Sequence, residues 1–76
     1  MFYVLNTDGV TDAAGVVIAG PARSLNDALA IYQHQEANAR RGGFAPPPMR
    51  IVEAASQVPQ GALLRKSDVL EEHELD

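Results

Sequence analysis

The ionisable side chains of this chain are unevenly placed. Asp68, Glu71, Glu72, Glu74 and Asp76 crowd the last nine positions, with no Lys or Arg among them. The whole chain carries a formal charge of −4, so residues 68–76 contribute −5 and the other 67 residues +1. Closely spaced carboxylates imitate a run of phosphates and attract a cationic surface. Glu71, Glu72, Glu74 and Asp76 are therefore candidate contacts for a basic protein partner, with Tyr3 and Phe44 as candidate apolar anchors. The blander reading is a solvated end that keeps the chain soluble.

The cations suggest a second chemistry. Arg40-Arg41-Gly42-Gly43-Phe44 joins two charges, a flexible glycine pair and an aromatic ring suited to base stacking. Arg23, Arg50, Arg65 and Lys66 extend this candidate nucleic-acid patch if the fold brings them together. Against it stands a sequence pI of about 4.9, opposite to the basic footprint of nucleic-acid binders. Helix C-capping accounts for the same residues without a ligand. Nucleic acid is therefore the secondary expectation.

Catalytic and metal chemistry find little support. Ser24, Ser56 and Ser67 lie in cap or loop contexts without a nucleophile elbow. His34 and His73 stand apart, and His73 between Glu72 and Glu74 makes at most a weak metal site. The turn from Gly20 to Ser24 meets a helix N-terminus, where backbone amides can hold an anion. It lacks the glycine pattern of a phosphate-binding loop, and reads as an ordinary turn. No cofactor, metal or enzymatic activity is expected. Cysteine is absent. A secreted domain this small usually needs disulfides, so a reducing cytoplasm is favoured. Met1 to Leu5 has no signal-peptide character, and no apolar run reaches membrane-spanning length.

The clearest element is a helix from Ser24 to Arg41. Ser24 is a good N-cap, and Asp27 suits the positive end of the dipole. Leu25, Ala28, Leu29, Tyr32 and Ala39 share one face, flanked by Ile31. Glu36 can pair with Arg40 one turn on, and Arg40 and Arg41 favour the C-terminal end. Gly42 is the expected left-handed stop, and Pro46-Pro47-Pro48 forbids continuation. Phe2 to Asn6 is apolar on both faces and reads as a central strand. Gly15 to Ala19 reads as its antiparallel partner, ended by Gly20-Pro21. Met49 to Ala54 is a third strand, and Ala62 to Lys66 an optional fourth. Ser67-Asp68 can cap a last short helix through Leu70, unless the end frays.

The expected fold is thus α+β, a two-layer sandwich of order β-β-α-β-(β). One amphipathic helix packs on a three- to four-stranded, mainly antiparallel sheet. Residues 1–67 form the single domain and residues 68–76 an acidic C-terminal tail. The 12 alanines leave few large side chains for a core, so a partner or a homodimer is a reasonable expectation. Tyr3 and Leu5 alternate with Phe2 and Val4, which predicts a second, partly apolar sheet face left open for docking. The preferred function is a non-enzymatic protein-interaction module, an inhibitor of a nucleic-acid-handling protein engaged through its basic surface. In size and acidity the chain is similar to phage-encoded inhibitors of bacterial defence, a likeness of composition only. The alternatives are a nucleic-acid-binding accessory protein and a small enzyme or enzyme subunit.

Overall fold

The structure, a computed structural model, describes residues 1–73. In chain order it contains β1 (Phe2–Asn6), β2 (Gly15–Ala22), α1 (Leu25–Arg41), β3 (Met49–Ala54) and β4 (Leu63–Leu64). A single 3-10 turn (Lys66–Asp68) then leads into β5 (Val69–His73). The strands form one five-stranded sheet, ordered β4-β2-β1-β3-β5, with every neighbouring pair antiparallel. The class is α+β as expected, with one helix against an antiparallel sheet. The sheet is wider than the predicted three or four strands, and the first strand is central.

The helix forms where its caps place it. The Asp27 N–H donates to the Ser24 hydroxyl (3.1 Å), and Arg40 lies 3.8 Å from Glu36. At the other end the Gly43 N–H donates to Arg40 O (3.0 Å) and the Phe44 N–H to Ala39 O (2.9 Å). This pair of bonds is a Schellman motif. The left-handed residue is Gly43 (φ +83°), not the predicted Gly42, which keeps helical angles (φ −81°). Ala28 is the only fully buried residue of α1, packed in a cluster with Val4, Ala22 and Ile51. A methyl at the centre of the contact lets the helix approach the sheet closely. Leu25, Leu29, Ile31 and Tyr32 then lie half-buried along its flanks.

Gly20-Pro21 does not end the second strand, which runs on to Ala22. The β1–β2 register shifts between Phe2 and Val4 and again between Val4 and Leu5. A proline without an N–H is tolerated at such an irregularity. Gly20 (φ +122°) is needed there, because an added Cβ would lie 2.8 Å from the Tyr3 ring and 2.9 Å from Phe2 O.

The last quarter of the chain decides the shape. Leu64 closes β4 opposite Gly15, beside the end of β1 that carries Asn6. Val69 opens β5 opposite Ala54, at the far edge and the far end of the sheet. In a flat sheet those two points would lie on the order of 25 Å apart, from the inter-strand spacing and the rise per residue. Five residues reach about 17 Å at most. The sheet must therefore curl, drawing its two edge strands toward each other beneath the face opposite α1. That concave side holds the second core cluster: Tyr3, Leu5, Ala14, Val17, Val52, Ala54 and Leu64, with Val58 and Val69 packed against it. Tyr3, Leu5, Val17 and Val52 are all fully buried.

The expectation of a spare apolar sheet face is corrected here. The alternation along the first strand is real, but the second face lines the inside of the curl. Asp68 to Leu70 form no α-helix: Asp68 closes the 3-10 turn, and the strand that follows is hydrogen-bonded to β3.

Candidate functional site

The candidate surface is the sheet edge formed by β5. In register, Ile51 faces His73, Val52 faces Glu72, and Glu53 faces Glu71. Two carboxylates are thus set directly across from each other on the face that also bears α1. Directly opposed side chains of an antiparallel pair come within a few ångströms, and like charges there repel. Glu72 points to the other face, where its Oε2 takes a hydrogen bond from Arg50 Nη1 at 3.1 Å. Glu71 and Glu72 are both exposed and Glu53 is half-buried. Among the described residues no ion pair reaches Glu53 or Glu71.

Among the described residues no strand pairs with the outer side of β5. Met1 and Ala54 exchange two bonds, Met1 N to Ala54 O (3.3 Å) and Ala54 N to Met1 O (2.9 Å). The antiparallel alternation then turns Arg50, Val52 and Ala54 toward β1, and Ile51 and Glu53 toward β5. On β5, Glu71 and His73 bond inward to β3, and the N–H and C=O of Glu72 point out from the edge. Leu70 sits in the register shift beside Ala54, with its side chain 64% exposed. The Phe2 ring packs on His73 with centroids 5.8 Å apart, which anchors the end of the strand.

The predicted contacts divide accordingly. Glu71 and Glu72 lie on the edge strand β5, paired to β3, whereas Glu74 and Asp76 lie outside the described residues. Tyr3 is corrected: it is fully buried and unavailable to a partner. Its hydroxyl donates to Ser56 O (3.3 Å) and accepts the Val58 N–H (3.0 Å), so it pins the loop after β3. Phe44 is 73% exposed at the end of α1. Sequence reasoning missed Glu53 and the open strand edge. Both depend on a pairing between segments far apart in the chain, which no local pattern announces.

The six cations do not converge. Arg23 precedes and Arg41 ends a helix of 17 residues, which is about 25 Å long. Arg40 pairs with Glu36, Arg50 with Glu72, and Arg65 with Asp68 at 3.3 Å. Lys66 Nζ donates to Thr11 O at 3.3 Å. With three of the six paired to carboxylates, they present a weaker field to a phosphate backbone than their number implies.

An open depression of about 380 Å³ lies between the β2 irregularity and the loop after β3. Its lining is Gly20, Pro21, Gln57, Val58, Pro59 and Gln60, which offers no titratable or nucleophilic side chain. Among the described residues no three His, Cys, Asp or Glu side chains are grouped to hold a metal ion. No helix among them is long and apolar enough to cross a membrane. Comparison with protein-family models, curated proteins and solved structures finds no match, so this chain's own residues carry the functional reading.

Proposed function

We propose that the protein is an interaction module that docks a partner protein of basic surface through the acidic edge of its sheet. The supporting observation is that Glu53 on β3 stands opposite Glu71 on the edge strand β5, with no ion pair to either among the described residues. A cation brought by a partner relieves that repulsion, and a strand already paired to β3 presents it at a lower ordering cost than a free segment. Complementary charge of this kind chiefly speeds and orients docking, so the association is salt-sensitive. Blocking a nucleic-acid-handling protein is one use of such a surface, since those proteins carry basic grooves.

The test is affinity capture from the protein's native cells with the unaltered chain and with Glu71→Lys, read by mass spectrometry. A stoichiometric basic protein held by the former, lost with the latter and released by about 1 M salt is the expected result. Equal capture by both chains, or a partner retained at high salt, would overturn the reading. Co-purifying nucleic acid lost with Arg40→Ala/Arg41→Ala would favour the accessory-protein alternative instead.

A further inference from the structure

The geometry points to β-strand addition as the mode of docking: we infer that an extended, basic segment of the partner joins β5 as a sixth, antiparallel strand. This rests on the proposed docking at the acidic edge and specifies its occupant. Two separate features of the edge carry it. Glu72 directs its N–H and C=O outward, the template an incoming strand needs. The neighbouring strands show the second: β3 sets Glu53 against Glu71, whereas Glu72 already has Arg50 at 3.1 Å.

The two faces of the incoming strand are therefore not equivalent. Its residue opposite Glu71 lies in line with Glu71 and Glu53, and a Lys or Arg there meets two carboxylates. Its residue opposite Glu72 exchanges backbone bonds with Glu72 and meets a side chain already partnered. The recognised pattern is a cation at the position opposite Glu71, with neutral residues on either side of it.

A second copy of this chain fits the edge poorly. Antiparallel self-pairing centred on Glu71 or Glu72 sets that residue opposite its own equivalent, carboxylate against carboxylate. Acidic residues on an edge strand resist self-pairing, and here they admit a strand of opposite charge. The other edge, β4, has only two residues and offers a much shorter template.

The probe is a blocked heptapeptide of alternating Thr and Lys, titrated into the isotopically labelled protein by heteronuclear NMR. The Glu72 and Leu70 amides are expected to shift most, with weaker binding in high salt. Methylating the peptide nitrogens at the threonines, which face Glu72, should weaken binding about tenfold or more, the equivalent of one or two hydrogen bonds. Methylation at the lysines, whose N–H groups point away from β5, should leave it within about twofold. The Thr/Glu counterpart should not bind, and Glu71→Lys should abolish binding of the Thr/Lys peptide.

Equal binding of both methylated peptides, still lost in Glu71→Lys, would overturn strand addition and leave the acidic docking surface standing. No response of the Glu72 amide to any peptide would overturn strand addition, while the capture experiment decides the module reading separately. A Glu72 shift on concentrating the protein alone would assign the edge to a second copy, and would overturn the inference as well.

Discussion

Replacing Glu71 by Lys should stabilise the fold while removing the partner, and the size of the gain follows from the register. Glu71 stands directly opposite Glu53 on a shared face, so the substitution turns a like-charge pair into an opposite-charge one. Each cross-strand change of this kind is worth roughly 0.2–1 kcal/mol, and exposure of Glu71 places the total at about 0.5–1 kcal/mol. Glu and Lys have similarly low strand propensity, so the backbone contributes little to the difference. For a domain of this size the midpoint of thermal unfolding should rise by about 2–8 °C at low salt. Glu71→Gln, which only removes repulsion, should give about half of that. In about 1 M NaCl the Debye length falls to about 3 Å and the gain should shrink. Scanning calorimetry of the three chains at two salt concentrations is the assay. A lower midpoint for Glu71→Lys, or a rise untouched by salt, would refute the claim that these two carboxylates repel.

Two further substitutions examine the scaffold. Tyr3→Phe leaves the Val58 N–H and Ser56 O without their partner while keeping the ring. It should cost about 1–2 kcal/mol by denaturant unfolding and speed amide exchange at Val58, and unchanged exchange would mean the phenol does not hold the loop. Gly43→Ala should cost about 1–2 kcal/mol, since Gly43 is left-handed (φ +83°) with open space around it. Gly42→Ala should be close to neutral, and the reverse order would return the left-handed stop to Gly42.

The parts of the fold that can be read from the sequence are those whose causes are local. Ser24, Asp27, Arg40 and the glycines at 42 and 43 mark α1 because each acts within a turn or so of its own position. Phe2 to Asn6 is recognisable as central because both of its faces are apolar. The errors arise wherever a distant partner decides. Gly20-Pro21 carries the usual signal for a strand end, yet the irregular pairing with β1 absorbs both residues and β2 continues. Val69 to His73 has two glutamates in five positions and reads as a solvated tail. It becomes a strand because β3 offers it Arg50 for Glu72 and a bonded register from Ile51 to Ala54. The alternation of Tyr3 and Leu5 with Phe2 and Val4 shows two apolar faces, but cannot show that the sheet curls over one of them. That outcome follows from the short span between Leu64 and Val69.

The same span bears on function. Curling closes the broad apolar face that would otherwise be the natural docking site, and it consumes Tyr3 as a core residue. It also carries an acidic strand to the rim of the sheet, where the Glu72 backbone pairs with no other described strand and Glu71 stands opposite Glu53. A strand recruited only to complete the core would keep Val69 facing inward and could place any neutral, strand-favouring residue at 71. Two opposed glutamates are a local loss of stability with no return inside the described chain. A cation brought from outside would turn that loss into binding free energy, and the calorimetric and peptide experiments test the two sides of this proposal independently.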